Sequence, residues 1–162
     1  MRAEAMMDKA PRPSNSSLAA FAFRVFLGGM FIYTGTIHAL DPQGFAVAVA
    51  NYRILPAALV NPFAVLLPWI ELIAGGLLVS GIFVQGSSLI ITGLLFMFAI
   101  ALGMALVTDL DISCGCFTTS KDAQRISWQY LARDAGLLAM ALFVFFLDTG
   151  VASLSNIRGM KR

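Results

Sequence analysis

The chain has 162 residues, of which 59% are hydrophobic and 12% are charged, and its mean hydropathy is +0.82. Soluble domains are about 45–50% apolar and about 25% charged, and a chain of this size has too little interior to hide so much apolar surface. The composition therefore excludes an ordinary soluble domain and indicates the lipid bilayer as the solvent. The net charge of +2 comes with no basic patch, so nucleic acid is not an expected partner.

The first half of the chain begins with a polar segment, residues 1–17, which we expect to form a flexible tail and not a cleaved signal peptide. Residues 18–40 are apolar and match the ~20 residues that a helix needs to cross the hydrocarbon. Asp41-Pro-Gln-Gly44 should end this span. The next segment, Phe45–Leu55, is too short and too polar to cross, and it predicts a short interfacial helix between spans 1 and 2.

The second half contains three more apolar segments, predicted to span at 61–84, 86–107 and 128–147. A basic tail, 151–162, follows them. The predicted fold is all-α, a four-helix transmembrane bundle formed by one membrane domain, residues 18–150. Small residues recur at spacings that let helices approach in lipid: Gly35 with Ala39, Gly76 with Ser80, and Ala99 with Gly103.

The Lys and Arg residues are distributed unequally between the two predicted sides. Seven lie in the tails or near the tail end of span 1: Arg2, Lys9, Arg12, Arg24, Arg158, Lys161 and Arg162. Four lie toward the opposite side: Arg53, Lys121, Arg125 and Arg133. The positive-inside rule then predicts a bacterial inner-membrane protein with cytoplasmic tails and a periplasmic loop between spans 3 and 4.

That loop contains the only two cysteines of the chain, Cys114 and Cys116, separated by Gly115. A structural disulfide is one interpretation, but a ring this small removes little unfolded-state entropy and is strained. Reversible thiol–disulfide exchange is the second and favoured interpretation, because strained, accessible bridges are easily reduced. Lys121 and Arg125 would favour a thiolate, whereas Asp111 would oppose it.

Metal capture by the two thiolates is the third interpretation. His38, the single histidine, lies near the same end of span 1 and would add a third ligand. A fourth protein ligand is not evident, so no metal site is predicted, and a histidine near a helix end more often packs or faces the interface.

Three stretches of the sequence resemble a known family. They are Asn51-Tyr-Arg-Ile-Leu-Pro56, Leu67-Pro-Trp-Ile-Glu-Leu72 and Asp111-Ile-Ser-Cys-Gly-Cys-Phe117. In this order they resemble the MauE/DoxX family of small four-span redox-associated membrane proteins, and MauE most closely, over roughly residues 18–150. In that family Phe117 is often followed by glycine, whereas here Thr118 follows.

The resemblance implies a role in periplasmic thiol–disulfide traffic. It implies a thioredoxin-like partner and, as the client, an exported disulfide-rich protein such as methylamine dehydrogenase. The layout is also similar to quinone-linked oxidases of the vitamin K epoxide reductase and DsbB type, which usually relay electrons between two cysteine pairs. This chain has one pair, so a second dithiol would come from another protein, and quinone is a candidate cofactor.

Polar residues within the spans are the secondary candidates. Glu71 should face the bundle interior, because a carboxylate that faces lipid is costly. Its role there would be to handle protons, to hydrogen-bond a quinone, or only to hydrogen-bond another helix and hold the two together. Trp69 is interpreted mainly as an interface anchor, and Arg133 with Asp134 mainly as charges that hold helices together. Tyr52 and Arg53 would either cover the cysteine loop or contact lipid headgroups.

Two functions from different classes remain. The leading hypothesis is a membrane thiol–disulfide redox protein in which Cys114 and Cys116 exchange electrons with a periplasmic thioredoxin-like partner. The alternative is a non-enzymatic assembly subunit whose bridge only shapes a docking loop. A small transporter is a third possibility, but no inverted repeat supports it.

Overall fold

The computed structural model describes residues 15–108 and 128–147, and within them the chain is helical with no strand. Five helices follow in order: α1 Asn15–Leu40, α2 Pro42–Asn51, α3 Ala57–Ser80, α4 Val84–Val107 and α5 Trp128–Leu147. All except α2 are long and apolar enough to cross a membrane. The structure therefore confirms the all-α four-helix membrane fold, with a short helix between spans 1 and 2.

The four long helices form a closed ring in which α1 contacts α3 and α5, and α4 contacts the same two helices. Every long helix contributes to the core, although their outer faces are equally apolar. The fully or nearly buried residues of the core are Leu27, Phe31, Ala74, Leu78, Ile91, Leu95, Leu137, Ala141 and Val144. Apolar side chains that point outward, such as Phe26, Ile73 and Phe96, are the expected lipid-facing surface.

The second membrane helix runs from Ala57 to Ser80 and not from 61 to 84. Pro56 precedes its first residue, where a missing N–H is harmless, and Gly81 ends it in the left-handed conformation at φ 71°. Pro62 is therefore not in the first turn, as its position in the sequence suggested, but inside the helix together with Pro68.

The short helix α2 starts at Pro42, where the Asp41 side chain caps it by accepting a 2.9 Å hydrogen bond from the Gly44 N–H. It does more than lie on a surface, because Phe45 is 3% exposed and packs with Ala64 and Leu67 of α3. The helix thus forms one wall of the bundle at the end where α4 finishes, at Val107.

The closest helix contact lies between α1 and α3. A Cβ atom added to Gly28 would lie 2.8 Å from the Gly75 carbonyl oxygen, and one added to Gly75 would lie 2.7 Å from the Gly28 carbonyl oxygen. Real Cβ atoms do not approach oxygen so closely, so both positions require glycine. Of the small-residue pairs expected from spacing, Gly35 does meet α3, but Gly76 and Gly103 face open space among the described residues.

We predict that Gly28→Ala destabilises the bundle by about 1–3 kcal/mol, because the added methyl group forces α1 and α3 apart. Gly29→Ala is the matched control: nothing lies within 4 Å of a Cβ there, and alanine is the better helix former by about 1 kcal/mol. Unfolding of the detergent-solubilised protein, followed by circular dichroism, measures both. Equal effects of the two substitutions would contradict the close contact.

Candidate functional site

The polar centre of the bundle is a contact between His38 of α1 and Glu71 of α3. The distance from His38 Nδ1 to Glu71 Oε2 is 2.9 Å, and each residue is only 1% exposed. Gly35, one turn before His38, makes this contact possible, because a Cβ there would lie 3.0 Å from Glu71 Cβ. The imidazole and the carboxylate thus satisfy each other where water and lipid give neither a partner.

The ring of His38 is held by α2. It stacks on the Phe45 ring, with the ring centroids 4.0 Å apart and an interplanar angle of 15°. Phe45 lies three residues after the helix start at Pro42, so the α1–α2 corner sets both the stacking and the direction of the imidazole.

Asp134 of α5 brings a second carboxylate toward this pair. Its side chain is 6% exposed, and its Oδ2 atom is buried without a hydrogen-bond partner among the described residues. A small cavity of about 40 Å³ is lined by Thr34, His38, Glu71, Arg133 and Asp134 together with apolar side chains. That volume is sufficient for a water molecule, and the lining supplies the polar partners that a buried water needs.

Tyr52, just after α2, lies within the electrostatic reach of the same carboxylate. Burial raises the pKa of Tyr52 to about 12, and the negative charge of Asp134 contributes to the rise. The phenol therefore keeps its proton and remains a hydrogen-bond donor at physiological pH.

A larger cavity of about 330 Å³ opens on the other side of His38, between α2, α3 and α4. Its polar members are His38 and Tyr52, and the remaining lining is apolar. Aromatic rings of Phe45, Phe63, Phe96 and Phe98 are prominent in that lining. Two residues of this lining, Phe96 and Ile100, are 58% and 48% exposed among the described residues, and both lie on the outer, expected lipid-facing side of α4.

Of the site residues predicted from the sequence, the structure brings four together: His38, Glu71, Tyr52 and Arg133. Trp69 lies midway along α3, is 58% exposed and takes no part in this centre. Arg53 is exposed and adopts φ 54° beyond the end of α2. The predicted site residues Cys114, Cys116, Asp111 and Phe117 lie outside the described residues.

Three features of the bundle are not evident from the sequence pattern. The first is the pairing of His38 with Glu71, and the second is the role of Phe45 as its stacking partner. The third is Arg24, which is 1% exposed and places its guanidinium carbon 5.0 Å from the centre of the Phe21 ring. A lone arginine within an apolar helix is a signal for such burial.

The titratable groups of the centre include one imidazole and two carboxylates. No group of three or more His, Cys, Asp or Glu residues in the described ranges is arranged to hold a metal ion. Imidazole and carboxylate groups exchange protons readily, and a water in the small cavity would connect Asp134 to Glu71 and His38. The arrangement thus places ionisable groups of α1, α3 and α5 around one small cavity.

We predict that His38→Ala and Glu71→Ala each destabilise the bundle, by about 3–5 kcal/mol if the pair is ionised, because each leaves its buried partner uncompensated. The double variant should cost less than the two single variants together, with a coupling of about 0.5–3 kcal/mol in a double-mutant cycle. The measurement is again unfolding in detergent.

The same cycle between His38→Ala and Ser80→Ala serves as the control and should be additive. Ser80 lies at the far end of α3, where its hydroxyl donates a hydrogen bond to the Leu77 carbonyl. Glu71→Gln should be milder than Glu71→Ala, because an amide oxygen still accepts from an imidazole N–H. Additivity of the His38 and Glu71 variants would refute the pairing.

We predict further that Asp134→Asn lowers the pKa of Tyr52, because a phenolate forms more easily when no negative charge lies nearby. The value should remain above the ordinary 10.0, since burial is the larger cause of the rise. The ultraviolet absorbance of phenolate reports the titration, with Tyr52→Phe identifying the signal against the two other tyrosines. An unchanged Tyr52 titration would show that Asp134 is uncharged or distant.

Comparison with known proteins places this bundle in a family. The family model described as methylamine utilisation protein MauE matches residues 16–147. The methylamine utilization protein MauE of Methylophilus methylotrophus is 36% identical over 113 residues, covering 68% of this chain and 59% of that protein. The MauE protein of Methylorubrum extorquens is 38% identical over 103 residues, covering 62% of this chain and 54% of that protein.

The MauE protein of Paracoccus denitrificans is 30% identical over 129 residues, covering 78% of this chain and 68% of that protein. The chain thus spans between about half and two thirds of the length of these relatives. No solved structure matches it. The matched region includes all four membrane helices, α2 and the buried His38–Glu71 pair, and the chain belongs to the MauE family of membrane proteins.

Proposed function

We propose that this chain is a membrane thiol–disulfide redox protein that supports methylamine utilisation. In this proposal Cys114 and Cys116 alternate between a dithiol and a disulfide. The observation that carries the proposal is the order of the helices. The segment that contains the two cysteines follows α4, which ends at Val107, and precedes α5, which begins at Trp128. These two residues lie at the end of the bundle where α1 gives way to α2, and the proposal places the thiol chemistry on the same side as the His38–Glu71 pair.

The exchange partner we propose is an exported thioredoxin-like protein. A thiolate of one protein attacks a disulfide sulfur of the other and forms a mixed disulfide, which the second thiol then resolves. One chain loses two electrons and two protons as its S–S bond forms, and the other gains them as its S–S bond breaks. The names of the relatives support a client used in methylamine metabolism.

The proposed orientation places this loop in the periplasm of a bacterium with the tails in the cytoplasm. Because Arg24 is buried within the bundle, it does not mark a membrane face. The remaining Lys and Arg residues still favour cytoplasmic tails, by six to four. A periplasmic loop would lie in a compartment where disulfides form and persist.

We predict that single Cys114→Ser or Cys116→Ser variants trap a mixed disulfide with the partner, because the resolving thiol is missing. Non-reducing electrophoresis of membranes, followed by mass spectrometry, identifies the adduct, and Ser113→Ala in the same loop is the control that should give none. The reduction potential of the pair, measured in glutathione buffers, should lie well above the about −300 mV typical of structural bridges.

The double Cys→Ser variant should also fail to restore growth on methylamine in a methylamine-using bacterium that lacks its own MauE. A bridge that resists glutathione, together with full growth of the double variant, would overturn the redox proposal. That combination would establish the alternative, an assembly subunit with a structural disulfide.

A further inference from the structure

We infer that the 330 Å³ cavity between α2, α3 and α4 binds the ring of an isoprenoid quinone, with the His38–Glu71 pair hydrogen-bonding a ring oxygen. This inference deepens the proposed function and rests on it for the source of electrons.

The position of the cavity suits a ligand that arrives through the bilayer. It lies among membrane helices, and its open side is formed by Phe96 and Ile100, which face lipid. Its volume is at the lower end of the range for small-molecule sites, about 300–1,000 Å³. A single substituted ring with the start of its tail matches this size, and a long tail would leave through the open side into lipid.

The lining of the cavity suits a flat ring. Aromatic side chains prefer stacked or edge-to-face contacts with other ring systems, and four phenylalanines line this space. The stack of His38 on Phe45 shows that the cavity wall already holds one flat ring against another at a centroid distance of 4.0 Å. An acyl chain would gain little from such rings over ordinary lipid.

The polar end of the cavity suits a ligand with oxygen atoms. His38 and Tyr52 line an otherwise apolar space, and His38 is bonded to Glu71 behind it. A buried imidazole–carboxylate pair is costly in a membrane and generally marks a functional site. A ring carbonyl accepts hydrogen bonds from imidazole and phenol groups, and the Tyr52 phenol keeps its proton.

The chemistry balances with the proposed thiol exchange. Oxidation of the Cys114–Cys116 dithiol breaks two S–H bonds, forms one S–S bond and releases two electrons and two protons. Reduction of a quinone to a quinol takes up the same two electrons and forms two O–H bonds. The His38–Glu71 pair is in a position to supply a proton to one ring oxygen, and Asp134 lies on the side from which the pair would be reprotonated.

The test uses the full chain in nanodiscs of synthetic lipid, titrated with decylubiquinone and, separately, with a naphthoquinone analogue that carries a short tail. Saturable binding of at least one of them is expected. Ala48→Phe and Ala101→Phe place a ring inside the cavity from two different helices. Each should weaken binding by about tenfold, the equivalent of about 1.4 kcal/mol.

Matched controls lie two residues away on each helix. Ala50 and Ala99 are not among the lining residues, so Ala50→Phe and Ala99→Phe should bind quinone as the natural chain does. Circular dichroism confirms that all four variants are folded. His38→Leu should also weaken binding by about tenfold, since it removes the hydrogen bond to the ring oxygen.

Decanol, which has the tail without the ring, separates a quinone from an acyl chain. It should not displace the bound quinone; displacement at equal concentration would show that the cavity accepts lipid tails and would overturn the inference. Equal binding by the cavity-filling and control variants would overturn it as well.

The double Cys114→Ser, Cys116→Ser variant separates this inference from the proposed function. It should bind quinone with unchanged affinity. Normal binding with no thiol exchange in the natural chain would refute only the proposed function. Normal thiol exchange with no quinone binding would refute only the cavity assignment.

Discussion

The close approach of α1 and α3 is the constraint on which the rest of the structure depends. Gly28 and Gly75 let the two backbones meet with no side chain between them. Gly35 continues the contact about two turns further along α1. In lipid, where apolar side chains gain little by leaving the solvent, such backbone proximity is a main source of helix association. It also determines which residues of the two helices face each other, and so it sets the 2.9 Å contact between His38 and Glu71.

That contact gives the apolar bundle its polar centre. Each member would be costly alone in the hydrocarbon, and together they satisfy each other while remaining connected to two cavities of opposite character. The small cavity leads to Asp134 on α5, and the large one leads to lipid between α2 and α4. An imidazole–carboxylate pair that lies between a polar cavity and an apolar one supports the proposed exchange of protons with a membrane-soluble ligand.

The short helix α2 connects this centre to the membrane surface. Its first turn carries Phe45, which holds the imidazole, and its last residues lead to Tyr52, which lines the large cavity. Because α1 and α2 are separated only by Asp41, a shift of α2 would move the wall of the cavity and the partner of His38 together. The last residue of α4, Val107, and the first residue of α5, Trp128, lie at this same end of the bundle.

The fold was predictable from the sequence because hydrocarbon thickness and apolar run length are local properties. Four apolar stretches of sufficient length imply four crossing helices, and the intervening polar segment implies a shorter one. The burial of Glu71 was predictable for the same reason, since a carboxylate facing lipid is too costly. The first residue of α3 was not predictable from the sequence, because a helix can begin next to either of two prolines, Pro56 and Pro62.

The chain alone determined the helix count, the inward direction of Glu71 and the position of the cysteine pair between two spans. Only the tertiary structure decided that His38 is its partner, that Phe45 and Tyr52 join them, and that a lipid-facing cavity opens beside them. These relations depend on how each helix is rotated and shifted against its neighbours. In a helix that is apolar on every face, hydrophobic periodicity does not reveal that rotation; a few close glycine contacts between backbones determine it.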